Sequence, residues 1–468
     1  MSKAKIYYHD IGDYLSRDEK LNIVKKFGSM ANIPWKELSP NEQGDWIAMR
    51  NESFDSFITL ASEKKFDVHS QSFFIIGGPG IMSGRDYWLA NFSTKMVKET
   101  ATRLIENFNQ EVDKYQDAIE NKKEYNFELD STKISWSSNL RNDLERRKKI
   151  DFDNSPIYIQ NYRPFNKLKF YFNKRLIDRP GISNILFPNS HYENKVIVLT
   201  GNGSSKDFTT IMSNSICDRH FDSNGQCFPL YFYEENKSEQ KGLFDDDSTG
   251  SSSDYIRRDG VSDFILERAT TQYNTKDISK EDIFYYVYGF LHSPNYRETF
   301  ANDLKKMLPR LPLVDDVRDF WAFSKAGRNL AELHLNYESV PAYEGVTLSS
   351  RTSDNLGASD NTNDYRVEKM RFPKKDQKDT IIYNSKITIS NIPAEAYEYV
   401  VNGKSAIEWI MERYAITTHK DSGITNDPND WANEVGNPRY ILDLLLSIIN
   451  VSVQTVEIVK GLPGVKFE

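Results

Sequence analysis

Between Asn161 and Arg179 the chain reads NYRPFNKLKFYFNKRLIDR. This run interleaves Tyr162, Phe165, Phe170, Tyr171 and Phe172 with the cations Arg163, Lys167, Lys169, Lys174, Arg175 and Arg179. Lysine and arginine at this density suit phosphate oxygens, and an arginine fork also spans O6 and N7 of a guanine. Rings between the cations either anchor the strand from below or stack on an unpaired base. The plainer alternative is a half-buried strand with a solvated basic face. A second basic set, Arg141, Arg146, Arg147, Lys148 and Lys149, follows Trp136 on a predicted helix. Lying just before the first run, it extends one positive surface. A third set, Arg366, Lys369, Arg371, Lys374 and Lys375, borders a polar stretch and reads as a phosphate-binding arm or a soluble linker.

Other groupings carry less. Gly201-Asn-Gly-Ser-Ser-Lys206 follows an apolar strand, but a Walker loop needs four residues between its glycines and then Lys with Ser or Thr. Asp207 follows Lys206 here. The segment reads as a glycine turn from which Ser204 and Lys206 can still meet a DNA backbone. Asn437-Pro-Arg-Tyr440 looks like the Asn/Asp-Pro-Pro-Tyr loop of adenine-N6 methyltransferases, where the aromatic stacks on a flipped base. Arg439 replaces the second proline and no glycine-rich cofactor loop precedes it, so Pro438 reads as a helix-start proline. Cys217, His220 and Cys227 would need His191 from an unrelated segment to complete a zinc site. Buried thiols are the simpler account, and no metal site is expected. No nuclease constellation and no Ser–His–Asp set emerges.

These side chains must be positioned by a long chain of 468 residues, 27% charged and 13% aromatic, with room for two to four domains. A net charge of −8 argues against a protein coated in nucleic acid but permits a basic face on an acidic body. Two cysteines give no disulfide framework, so a cytoplasmic location is expected. The N-terminus lacks the apolar region of a signal peptide. No uninterrupted apolar run reaches the ~18 residues of a membrane helix, so no membrane partner is expected.

The opening KIYYHDIGDYL predicts a strand and turn, then a helix at 16–27 with a capping box of Ser16 and Glu19. A chain opening directly on a strand suggests a start within a domain. Residues 34–45 read as a loop, and 73–84 as an apolar strand broken by Gly77, Gly78, Pro79 and Gly80. Residues 91–119 are the clearest helix, with Phe92, Met96, Leu104, Ile105, Phe108, Val112 and Tyr115 on one face. Short strands and turns follow over 135–233. Residues 234–254 and 349–364 read as disordered polar loops. Helices are predicted at 280–291, 297–308, 317–333, 394–401, 405–414 and 438–459, and strands at 380–390. Without regular βαβ alternation, the fold class is α+β.

Several blocks together carry a resemblance. They are KIYYHDIGDYLSRDEKL at the start, Asp45-Trp-Ile-Ala-Met-Arg-Asn51, Gly84-Arg-Asp-Tyr-Trp88 and Thr132-Lys-Ile-Ser-Trp136. Tyr162-Arg-Pro-Phe165, Gly225-Gln-Cys-Phe-Pro229, Glu281-Asp-Ile-Phe-Tyr-Tyr-Val-Tyr-Gly289 and Leu291-His-Ser-Pro294 continue the order. Val401-Asn-Gly-Lys-Ser-Ala-Ile-Glu-Trp409 and Asn426-Asp-Pro-Asn-Asp-Trp431 complete it. In this order the chain resembles the C-terminal target-recognition region of bacterial type ISP restriction–modification enzymes, which serve in phage defence.

The resemblance implies a module that recognises a double-stranded DNA sequence. Its partners would be an adenine-N6 methyltransferase domain and a helicase–nuclease. S-adenosylmethionine, ATP and Mg2+ would belong to those other domains, with no cofactor in these residues. The implied divisions are 1–30 as the tail of the methyltransferase domain and 31–124 as a helical spacer. Residues 125–340 would be the target-recognition domain and 341–468 a C-terminal α/β subdomain. The expected DNA-binding residues are Arg163, Lys167, Lys169, Lys174, Arg175, Arg179, Arg146, Arg147 and Lys206, with Arg163 the one that can instead pair with a core carboxylate. The alternatives are a methyltransferase fragment using Asn437–Tyr440 and a protein-interaction scaffold.

Overall fold

The computed structural model describes residues 4–62, 69–153, 157–236, 254–350 and 364–467. The chain opens with β1 (Ile6–Tyr8), α1 (Arg17–Phe27) and β2 (Lys36–Leu38). Ser16 and Glu19 form the expected capping box on α1. The stretch expected to be only loop supplies β2, which pairs antiparallel with β1.

Next come β3 (Gly78–Pro79) and β4 (Ala90–Asn91), so most of the expected strand at 73–84 is irregular. Then follow α2 (Thr94–Glu120) and α3 (Ser138–Glu145). Ser93 caps α2 by accepting from the Met96 amide. Val97, Ala101, Leu104, Ile105, Phe108 and Val112 recur at three- and four-residue steps and are all buried. That stripe lies in the same core as Leu168 and Phe170 of the basic run. The helix expected within the spacer thus packs on the same core as the basic run.

The basic run itself is a hairpin of β5 (Ile157–Arg163) and β6 (Asn166–Tyr171). Pro164 and Phe165 turn it, with Phe165 at φ 57°. After it come β7 (Val196–Leu199), β8 (Thr210–Ser213), β9 (Ile216–Cys217) and β10 (Gln226–Pro229). Two four-stranded sheets result, in the orders β9-β5-β6-β4 and β3-β10-β7-β8.

The helices α4 (Lys280–Phe290) and α5 (Val317–Leu335) form the centre of a second core. They touch backbone to backbone. A Cβ on Gly327 would lie 1.9 Å from the Tyr285 carbonyl oxygen, and one on Gly289 2.1 Å from that of Phe323. The second helix of the expected pair breaks into Pro294–Thr299 and Ala301–Leu304.

A three-stranded sheet follows, of β11 (Thr347–Ser350), β12 (Ile381–Ile382) and β13 (Ile387–Ser390), with β13 in the middle. The helix expected over 394–401 is a single 3-10 turn, Ala394–Tyr397, and then a tight hairpin. Asn402 and Gly403 both take positive φ, and Val400 pairs with Ser405 across them. This is the backbone that two-residue hairpins require.

Last come α6 (Ala406–Arg413) and α7 (Tyr440–Lys460). By length and composition α7 would suffice to cross a membrane, which counting uninterrupted apolar runs did not reveal. It is instead a core helix, with 72% of its apolar window buried. The two cores meet where His334 of α5 bonds the Tyr288 hydroxyl of α4 at 2.6 Å and the Thr455 hydroxyl of α7 at 3.0 Å. The mixture is α+β, as expected. Of the two expected polar loops, residues 237–253 and 351–363 lie outside the described residues. The ends of the first are strands, Tyr231–Glu235 paired with Tyr255–Asp259.

Candidate nucleic-acid interface

Side chains of an antiparallel hairpin alternate between faces, and directly opposed residues share one. Ile159 opposes Lys169, and Asn161 opposes Lys167. Tyr158, Gln160, Leu168 and Phe170 point inward and are buried. The outer face carries Lys167 and Lys169 into a cleft of about 430 Å³. Its walls include Thr94, Asn189, Tyr192, Asn214 and Ser215. These come from the start of α2 and from two separate loops, and no sequence spacing announces them.

The two lysines are held in place. Lys167 Nζ donates to Glu338 Oε2 at 2.6 Å and lies 4.8 Å from the Tyr337 ring centre. Lys169 Nζ stands 4.3 Å over Trp431. The other oxygen of Glu338 accepts from the Tyr440 hydroxyl at 2.5 Å, and the Tyr440 ring stacks near Trp431. The Asn437–Tyr440 tetrapeptide is thereby accounted for. Asn437 Oδ1 accepts from the Arg439 amide, Arg439 Nε donates to Asp443, and Tyr440 supports the lysine cleft. The methyltransferase-loop alternative finds no exposed stacking ring here.

Arg163 and Arg175, both expected DNA ligands, make ion pairs within the fold, and for Arg163 this is the core-carboxylate alternative left open by the sequence. Arg163 Nη1 donates to Asp218 Oδ1 at 2.7 Å and to the Tyr162 carbonyl at 2.6 Å. Its side chain is 14% exposed, and its guanidinium lies 3.8 Å from the Tyr162 ring centre. Desolvation would lower its pKa, but Asp218 holds it raised. Arg175 spends its fork on the end of α3. Nε donates to Asp143 at 2.8 Å, Nη1 to the Lys149 carbonyl at 2.6 Å and Nη2 to that of Lys148 at 2.8 Å. A guanidinium so committed is a clamp, with three N–H groups on three separate acceptors.

That clamp ties the Lys148–Lys149 backbone to the segment just after the hairpin. Lys174, Arg179, Arg146 and Arg147 are exposed, and none makes an ion pair among the described residues. Arg147 takes φ 54° just after α3. Arg179 is fixed through its backbone, which bridges Met82. Lys206 is also exposed, but its stem packs beside Gly403 rather than on the hairpin. The Gly201–Lys206 segment is a turn, as read from its sequence. Of the third basic set, Arg366, Lys369 and Arg371 line a separate opening of about 600 Å³, together with Lys386. Two of these are paired, Arg366 with Asp427 and Lys386 with Asp364.

Cys217 and Cys227 are buried free thiols, and no group of three or more His, Cys, Asp or Glu able to hold a metal occurs among the described residues.

The family model described as the Type ISP C-terminal specificity domain matches residues 72–444. The chain belongs to that family. It is similar over its whole length to the Type ISP restriction-modification enzyme LlaGI, solved as a nuclease-deletion mutant with a DNA substrate mimic, at 37% identity and TM-score 0.82. It is likewise similar to the ATP-dependent Type ISP enzyme LlaBIII bound to DNA, at 36% identity and TM-score 0.84. A DrdV–DNA complex matches 98% of the chain at 26% identity and TM-score 0.82. The chain spans 40%, 28% and 43% of these three chains. No curated protein matches it.

Proposed function

We propose that this chain is the sequence-specific duplex-DNA recognition module of a type ISP restriction–modification enzyme, working in the cytoplasm. It would grip the duplex and present a target adenine to an adenine-N6 methyltransferase domain outside these residues. The observation that carries this reading is the shared fold, over the full chain, with two enzymes of the same family solved on DNA.

Within this reading the DNA backbone runs along the outer face of β5–β6 and the adjoining end of α3. Lys167 and Lys169 meet phosphates in the cleft, and Lys174, Arg146 and Arg147 meet them at its exposed flank. Arg179 is the arginine of the run whose fork remains available to a guanine edge. Arg163 and Arg175 act from behind by fixing the hairpin. Lys206 contributes at most a separate phosphate contact near the Asn402–Gly403 turn. S-adenosylmethionine, ATP and Mg2+ belong to the domains that supply methyl transfer, translocation and cleavage.

Fluorescence anisotropy with a labelled random-sequence duplex tests the reading. Binding at low salt that weakens linearly on a log–log salt plot is expected from released counterions. Absence of binding at low salt would overturn it and favour a protein-interaction scaffold.

A further inference from the structure

The hairpin leaves the third basic set without a role, yet that set stands on a fixed backbone. Arg366, Lys369 and Arg371 are exposed, while Val367 and Met370 between them are buried. Arg371 exchanges backbone hydrogen bonds with Ile382 at 3.1 and 2.9 Å. The Val367 backbone exchanges bonds with the Asn429 side-chain amide at 3.0 and 2.8 Å. Arg366 Nη2 donates to Asp427 Oδ2 at 2.6 Å.

The opening these residues line, of about 600 Å³, has four cations and one carboxylate, Glu368. Arg366 and Lys386 are spent on Asp427 and Asp364, whereas Lys369 and Arg371 make no ion pair among the described residues. Lys374 and Lys375 follow them in the chain and are exposed. On a chain of net charge −8 this is a local positive patch. Its lining has no aromatic ring on which an unpaired base could stack. None of the lining residues buries a polar side-chain atom without a partner, as a pocket shaped for one small anion would. Exposed, unpaired cations on a firm backbone suit a solvated phosphate chain.

One short helix, Pro428–Glu434, joins this opening to the lysine cleft. Asp427, the partner of Arg366, caps its start. Trp431 in its middle lies under Lys169. Glu434 at its end accepts from the Thr94 amide and hydroxyl, both at 2.7 Å, and Thr94 lines the lysine cleft. Such a helix spans about 10 Å, and phosphates of one strand lie ~3.4 Å apart along the duplex axis. A DNA backbone leaving the cleft along this helix therefore meets the third basic set within a few nucleotides.

We infer that Lys369 and Arg371, extended by Lys374 and Lys375, grip the phosphate backbone of the duplex beside the recognised sequence. They lengthen the footprint without reading bases. The inference rests on the recognition reading and on DNA lying in the Lys167–Lys169 cleft.

Anisotropy with the full chain and two duplexes tests it. The long duplex carries the sequence the chain selects from a random pool, with flanks of about one helical turn, ~10 bp, on each side. The short duplex is trimmed to the selected sequence. The double variant Lys369→Ala, Arg371→Ala, with the circular dichroism of the parent, should bind the long duplex on the order of tenfold or more weakly at low salt. Its salt slope should fall by roughly two units. On the short duplex parent and variant should bind alike, and both should select the same sequence. Equal binding of the long duplex by parent and variant would overturn the inference while leaving the recognition reading intact. Equal weakening on both duplexes would overturn it too, because the loss would then not lie in the flanks. ATP binding by the parent that the variant loses, with DNA binding unchanged, would assign the opening to a free polyphosphate instead. Failure of the parent to bind either duplex would overturn the recognition reading together with this inference.

Discussion

Arg163 donates to Asp218 at 2.7 Å inside the fold, beneath the hairpin that carries the basic run. Removing one partner of a buried pair leaves the other charge uncompensated, so Arg163→Met should destabilise the protein by about 3–5 kcal/mol. Burial pushes the Asp218 carboxyl up to about 7, with Arg163 opposing it. Without Arg163 the carboxyl rises further. A raised carboxyl favours the folded state at low pH, and that contribution is lost as pH rises through the folded value. Urea unfolding should therefore show a larger deficit for the variant at pH 8 than at pH 5. An equal deficit at both would contradict the assignment.

Loss of a phosphate contact and loss of a base contact leave different traces. Lys167→Ala, Lys169→Ala and Lys174→Ala should each weaken all duplexes alike and lower the salt slope by roughly one unit. Arg179→Ala should cost about 1–3 kcal/mol on a preferred site and relax specificity there. Anisotropy titrations on preferred and scrambled duplexes distinguish the two. Parent-like binding by all four folded variants would remove this hairpin from the interface.

The contact of α4 with α5 leaves no room for a methyl group at Gly327, where a Cβ would lie 1.9 Å from the Tyr285 oxygen. Gly327→Ala should force the helices apart and destabilise by about 1–3 kcal/mol, in the range of overpacked cores. Thermal unfolding should show the loss.

His334 is buried between hydroxyls, and desolvation, with Arg297 adding to it, pushes its pKa down to about 3. A depressed histidine stabilises the fold above its ordinary pKa of ~6.5 and loses that contribution as pH falls. Asp218 and Asp222, both pushed up mainly by burial, run the opposite way over the same window. The informative quantity is therefore the difference between parent and His334→Gln. Between pH 7 and pH 5 the parent should lose about 2 kcal/mol relative to the variant. A pH-independent difference would show that His334 is not held neutral.

Local signals were legible in the sequence where the physics is local. Ser16 and Glu19 announce α1, the stripe from Val97 to Val112 announces α2, and Val317 begins α5 where the pattern indicates. Strand structure in the basic run and the basic helix end before it were also readable. What stayed hidden is which carboxylate each cation meets, because those are brought in by the fold: Asp218 for Arg163, Asp143 for Arg175 and Glu338 for Lys167. Charge spacing alone cannot distinguish a guanidinium that clamps a helix end from one that meets a phosphate. Trp431 lay within a recognised block, yet its place under Lys169 needed the fold. One signal was present and passed over: Asn402-Gly403 is a hairpin dipeptide, and it ends the helical reading of 394–401.

The central claim is that this chain reads a DNA sequence. Selection of bound duplexes from a random pool, followed by a titration of the purified chain on the enriched and scrambled sequences, tests it most directly. A single enriched motif is expected, bound about 10³-fold or more tightly than scrambled duplex at moderate salt. No enrichment, with equal affinity for both duplexes across the salt series, would contradict it.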